Sequence, residues 1–314
     1  MKKVVFAFLA ILLALPTKAQ ESQEVYSFLR LPVSAHAAAL GGENITISDG
    51  DPALIFHNPA LISNTSDKSI NLNFMTYMEG STTASASFIK VWGERATWGV
   101  SAQYMDYGSM KEMTADNIEL GTFSAKDIAL AGTFAYLLSD RWSGGITLRF
   151  ISSSIASYNS IAIASDLGLN YFDEERGWSL SAVAKNLGGQ VKAYQDKYEK
   201  IPFDLQVGIS KRLEAAPLRF SATLSRLNRW NTNFIQHLAL GADIFLGETI
   251  YVAGGYNFRR RDEMKIYDGE GSSSHGAGLS LGAGLMLQRF KLNVAYAKYH
   301  VSASSLLINV TYSL

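Results

Sequence analysis

From about residue 68 to the end, the chain alternates apolar and polar positions with a period of two. Ile70, Leu72 and Phe74 alternate with Asn71 and Asn73. Trp98, Val100, Ala102 and Tyr104 alternate with Gly99, Ser101 and Gln103. Leu148 and Phe150 flank Arg149, and Leu306, Ile308, Val310 and Tyr312 flank Leu307, Asn309 and Thr311. Such spacing gives a strand one apolar and one polar face, and it does not fit a helix of 3.6 residues per turn. About fourteen runs of roughly 9–13 residues follow one another. A strand tilted across a bilayer needs ~9–11 residues, whereas strands of soluble sheets average ~5–6. The pattern therefore predicts an all-β fold, a transmembrane antiparallel β-barrel of about fourteen strands.

The connections fall into two alternating sets. Those near 93–94, 139–140, 173–176, 211–216, 247–248 and 288–289 are mostly short. Those at 107–125, 152–160, 188–200, 226–233 and 259–275 are longer and more polar. Outer-membrane barrels place short turns on the periplasmic side and long loops outside. An even strand number then puts both chain termini on the periplasmic side. Trp92, Trp142 and Trp178 lie beside short turns, where an inner aromatic girdle is expected.

Residues 20–67 do not alternate. Ser34 to Gly42 is rich in small residues, weakly helical, and ended by Gly41 and Gly42. Asn44 to Asp49 fits a short strand. Asp51-Pro52 and Asn58-Pro59-Ala60 mark turns, and Pro59 holds Asn58 outside the helical region. The expected arrangement is a hatch folded inside the barrel, with its backbone groups satisfied by the wall.

Composition fits this picture. The 314 residues carry 28 basic and 28 acidic side chains, so no charge excess points to nucleic acid. Residues 1–19 read as a cleavable signal peptide. Lys2 and Lys3 precede an apolar run from Val4 to Leu15 that is too short to span a bilayer. The absence of cysteine excludes a lipoprotein anchor, disulfides and thiolate metal sites. The domain reading is signal peptide 1–19, hatch 20–67 and outer-membrane barrel 68–314.

Chemical motifs are sparse. There is no HExxH and no GxSxG, and the five histidines show no metal-ligand spacing. His57 near Asp49 and Asp51 reads as a hatch histidine in a polar lumen. Asp127, Arg149, Asp166, Lys185, Asp204, Arg219 and Asp243 fall on the polar face. They are expected to pair with one another or with the hatch, since a cation on the lipid face costs ~2–4 kcal/mol at mid-depth. Arg259, Arg260, Arg261, Asp262, Glu263, Lys265 and Tyr267 form the most charged outer segment, a candidate partner-docking loop.

The hatch stretch carries a resemblance. Ala37-Ala38-Ala39-Leu40-Gly41-Gly42, then Asp49, Asp51-Pro52 and Asn58-Pro59-Ala60, is similar to the N-terminal hatch of FadL-like long-chain fatty-acid transporter barrels. Within them the chain resembles the PorV/PorQ family of the Bacteroidota type IX secretion system, and its PorQ members most. The usual alanine-rich run after the aspartate is replaced here by Asp51-Pro52. The resemblance implies an integral outer-membrane scaffold without catalytic residues, cofactor or metal. It would contact outer-membrane lipid and work with PorV, PorU and PorZ in an attachment complex for secreted cargo. It also implies that Gly41 and Gly42 form the hatch turn and that Asn58, Pro59 and Ala60 form its core. The alternative is a FadL-like transporter of hydrophobic small molecules. A transporter should show an apolar pocket and a lateral opening in the wall, and a scaffold should show a stopped lumen.

Overall fold

A computed structural model describes residues 24–314 except 79, 115, 117, 231–232, 268–271, 274–275 and 302. The expected signal peptide lies outside the described residues. Fourteen strands close into one antiparallel barrel. They are β1 (Ser69–Thr76), β2 (Thr82–Trp92), β3 (Ala96–Met113), β4 (Glu119–Leu137), β5 (Trp142–Ile155), β6 (Tyr158–Asp173) and β7 (Trp178–Lys192). The remainder are β8 (Asp204–Arg212), β9 (Leu218–Leu224), β10 (Leu238–Leu246), β11 (Ile250–Asn257), β12 (Leu279–Met286), β13 (Phe290–Ala297) and β14 (Ser305–Ser313). Each strand pairs with its neighbour in sequence, and β1 closes the ring on β14 from Ser69↔Ser313 to Met75↔Leu307.

The barrel is inside-out relative to a soluble protein. Leu72, Val100, Leu130, Leu148, Phe150 and Leu281 are exposed on its outer face, while Asn71, Gln103, Thr133, Arg149, Asp243 and Asn309 are buried inside. Water would penalise that outer surface and acyl chains accept it, so the alternation makes sense only in a bilayer. Trp92, Trp142 and Trp178 are exposed at strand ends beside the short turns, as the girdle requires.

Wall height is uneven. β3 and β4 run 18 and 19 residues, and β5 to β7 run 14 to 16. By contrast β1 and β8 to β14 run 7 to 9. Two connections read from sequence as loops are therefore largely strand. The stretch 107–125 is a ladder from Ser109↔Ser124 to Met113↔Glu119, and 152–160 is a tight hairpin with Ile155↔Tyr158 at its end. Their polar side chains suggested loops, yet a two-stranded ribbon in water needs no apolar face to keep its backbone bonds. The 259–275 connection contains helix Phe258–Glu263 and a two-residue ladder of Ile266–Tyr267 with Ser272–Ser273.

Candidate functional site

Most residues from Tyr26 to Ile62 are buried, and the turns and helix among them pack on the inward faces of the strands. A helix, α1 (Ala35–Ala39), is capped by the Ser34 hydroxyl, which accepts from the Ala37 amide. Gly41 and Gly42 end it at φ 97° and 89°, a left-handed conformation that side-chain-bearing residues avoid. The Gly42 amide returns to the Ala37 carbonyl at 2.9 Å. Residues 44–48 have no regular secondary structure and join no ladder, contrary to the short strand expected there. Their polar groups bond locally, with the Thr46 amide on Asn44 Oδ1 at 2.8 Å, and to Asn58, whose Nδ2 donates to the Ile45 carbonyl at 3.2 Å.

Two successive turns repeat one design. Asp51-Pro-Ala-Leu-Ile55 and Asn58-Pro-Ala-Leu-Ile62 each open a 3₁₀ turn, Pro52–Phe56 and Pro59–Asn64. In each, the Asx side chain accepts from the amide two residues on, Asp51 from Ala53 at 3.0 Å and Asn58 from Ala60 at 2.9 Å. Proline takes the next position, where a missing N–H costs nothing. Leu54, Ile55, Leu61 and Ile62 are buried. The seven-residue repeat was present in the sequence, and reading the two Asx-Pro pairs as separate turns missed it.

The wall is shaped to receive this segment. A Cβ placed on Gly145 would come within 2.5 Å of the Pro59 carbonyl carbon, and one on Gly168 would overlap Asn58 Oδ1. On Gly208 it would sit 2.8 Å from Thr46, on Gly241 2.7 Å from Leu40, and on Gly282 2.6 Å from Ala39. Glycine at these inward positions lets hatch and wall backbones touch. Wall side chains complete the fit. Ser143 donates to the Ala60 carbonyl at 3.1 Å, Asn58 Nδ2 to Ser181 at 3.2 Å, and Asn257 to the Gly41 carbonyl at 3.0 Å. Asn309 accepts from the Ala35 amide and donates to the Val33 carbonyl.

Charge ties the same parts together. Arg219 on β9 donates to Asp243 on β10 at 2.7 Å and to Asp49 of the segment at 2.7 Å. His36 joins through Asp243 at 2.8 Å and stacks on Tyr251 at 4.1 Å between ring centroids. Lys291 donates to the carbonyls of Asp49 and Gly50 at 2.8 and 2.9 Å. Asp49, off the strands, is pushed up by burial but pulled down more by Arg219, to about 2. Asp51 accepts from Ser34 at 3.1 Å, and the Ser34 amide donates to His57 Nε2 at 3.3 Å. Burial, then Lys185, lowers His57 to about 3, so it is a neutral acceptor. Elsewhere on the wall, Arg149 pairs with Asp166 at 2.6 Å.

The candidate docking loop divides. Arg260 is buried, donates to the carbonyls of Ala277 and Gly278 at 2.9 and 3.2 Å, and lies 4.6 Å over the Tyr299 ring. These contacts make it a strut of the loop. Arg259 donates to the Gln236 carbonyl, Glu263 pairs with Arg226 at 3.0 Å, and Asp262 pairs with Lys265 at 2.7 Å and weakly with Arg261 at 4.0 Å. Tyr267 lies in the short ladder opposite Ser272.

Two larger hollows remain. One of about 1020 Å³ opens at the short-turn end and is lined by Asp49, Arg219, Ser179 and Glu214 together with Phe245 and Met286, polar and apolar in about equal parts. The other, of about 900 Å³, is a shallow apolar depression on the lipid-facing side between Ile70, Phe88, Leu130 and Leu148. No group of three or more potential metal ligands occurs among the described residues.

No protein-family model and no curated protein sequence matches the chain. Solved structures do. The Pseudomonas putida toluene transporter TodX matches with a TM-score of 0.57 and 13% identity, over 90% of this chain and 97% of that one. The CymD monoaromatic hydrocarbon channel matches at 0.56 and 14%, over 91% and 98%. A Pseudomonas aeruginosa FadL homologue matches at 0.56 and 11%, over 90% and 99%. At these identities the likeness is one of fold: the chain has the architecture of FadL-like outer-membrane β-barrels.

Proposed function

We propose that this barrel is an integral outer-membrane anchor for surface proteins, of the type IX secretion kind implied by its PorV/PorQ resemblance. PorV, PorU and PorZ would be its partners, and acyl chains its surroundings. The observation that carries this reading is the combination of a lumen occupied by the segment that precedes β1 and a wall whose strands are all paired. Every neighbouring pair of strands is hydrogen-bonded, and the register shifts at Asp106/Ser109 and Glu112/Met113 in β3–β4 and at Ile161/Ala162 and Ser165/Leu167 in β6–β7 leave those pairs joined on either side. A carrier of apolar molecules needs an apolar path and a side exit. The interior hollow here mixes polar and apolar lining in about equal parts and opens at the short-turn end, and the wholly apolar depression lies outside the wall.

The second reading is passage of a small hydrophobic molecule. The fold comparisons favour it over the secretion role, because TodX and CymD are hydrocarbon channels and no comparison points to secretion. One experiment separates the two. The barrel is purified in mild detergent, its co-purifying proteins are identified by mass spectrometry, and binding of labelled toluene and palmitate is measured on the same sample. Stoichiometric PorV, PorU or PorZ homologues without saturable ligand binding support the anchor. Saturable binding with lipid as the sole companion replaces it with the transporter.

A further inference from the structure

The start of the described chain sits at the opposite end of the barrel from the first strand. β1 begins and β14 ends together at Ser69↔Ser313, on the short-turn side. Glu24, however, bridges to Lys200, with the Val25 amide on the Lys200 carbonyl at 3.1 Å. Its carboxylate is shared by Arg30 and Arg229. Lys200 and Arg229 belong to the long connections 193–203 and 225–237. Tyr26 is anchored at the same end. Its hydroxyl bonds Ser160, near the start of β6, and accepts from Gln190 near the end of β7 at 3.3 Å. Its backbone is held at φ 58°, an unfavourable value for a residue with a side chain, which fixed surroundings must maintain. Segment 24–67 thus crosses the lumen from the long-loop end to the short-turn end. The even strand number puts the start of β1 and the end of β14 on one side, and residues 24–67 cross to that side from the other before β1 begins.

We propose that this protein presents the start of its luminal segment, Glu24 to Ser27, at the outer face of the membrane. There, Glu24 clasps two outer loops to the segment that occupies the lumen. The inference rests on the reading of the long connections as extracellular, and its test separates the two.

The chain has no cysteine, so single cysteines report position cleanly. Ser27 is exposed beside the clasp, Lys197 is exposed on an outer loop, and Glu214 is exposed on a short turn. Ser27→Cys, Lys197→Cys and Glu214→Cys are expressed separately and treated on intact cells with a membrane-impermeant maleimide. The expected result is equal labelling of Ser27→Cys and Lys197→Cys, with Glu214→Cys labelled only after permeabilisation. Labelling of Lys197→Cys but not Ser27→Cys overturns this inference and leaves the barrel's orientation intact. Labelling of Glu214→Cys alone overturns the orientation and the inference with it. Should Ser27→Cys fail to fold, an epitope inserted between Gln23 and Glu24 and read by antibody on intact cells decides the same question.

Discussion

At the scale of single residues, wall glycines and one buried histidine carry the fit between segment and barrel. Gly168 faces Asn58 with no room for a methyl group, whereas Gly132 has nothing near its missing Cβ. Gly168→Ala should therefore destabilise by about 1–3 kcal/mol, and Gly132→Ala should stay within about 0.5 kcal/mol of the parent. Thermal unfolding in detergent, followed by the gel shift of heated samples, measures both. His57 gives a pH dependence. Its pKa falls from 6.5 unfolded to about 3 in the folded protein. Below pH 6.5 the unfolded chain takes up a proton that the folded one refuses, so stability present above that value is lost as pH falls toward about 3. The loss should reach about 2 kcal/mol near pH 5. His57→Asn, which keeps an acceptor for the Ser34 amide, should flatten the profile between pH 6.5 and 5. An unchanged slope would remove His57 from the account.

Among the elements, the Arg219 hub joins the segment to β9 and β10. Arg219→Met would leave Asp243 and Asp49 facing each other without the cation, at a cost of about 3–5 kcal/mol. Adding Asp243→Asn should recover part of that loss, and a double-mutant cycle on melting curves checks the coupling. The strands themselves were legible in sequence, because one face had to be apolar over its whole length: Leu148, Phe150 and their neighbours announce β5 without help. The long β3–β4 ribbon was not legible, since beyond Asp106 its side chains meet water on both faces and the alternation loses its meaning. Within the segment, Gly41, Gly42 and Asn58 were readable from local backbone chemistry. The burial of Arg260 was not readable, because charge suggests exposure and only the fold reveals the Ala277 and Gly278 carbonyls and the Tyr299 ring that enclose it. The clasp at Glu24 had no sequence signal, since it depends on two loops more than 150 positions away.

For the molecule as a whole, the membrane is the solvent that makes the alternation consistent. Leu148 is 64% exposed at mid-strand on the outer face. Leu148→Arg should cost about 2–4 kcal/mol in folding into lipid vesicles, while Thr147→Ala, which removes one 2.7 Å hydroxyl bond to Thr133, should cost about 1 kcal/mol. The uneven wall reaches beyond the protein itself. A flank of strands seven to nine residues long lies at or below the lower end of the ~9–11 that a typical hydrocarbon core requires. Leaflets meeting that flank must thin to cover it, and they relax again along the tall side. The barrel would therefore sit in a lopsided collar of compressed lipid. Bilayers of shorter acyl chains should raise its unfolding temperature, and a second protein able to fill the pinched side would be drawn to one azimuth of the ring.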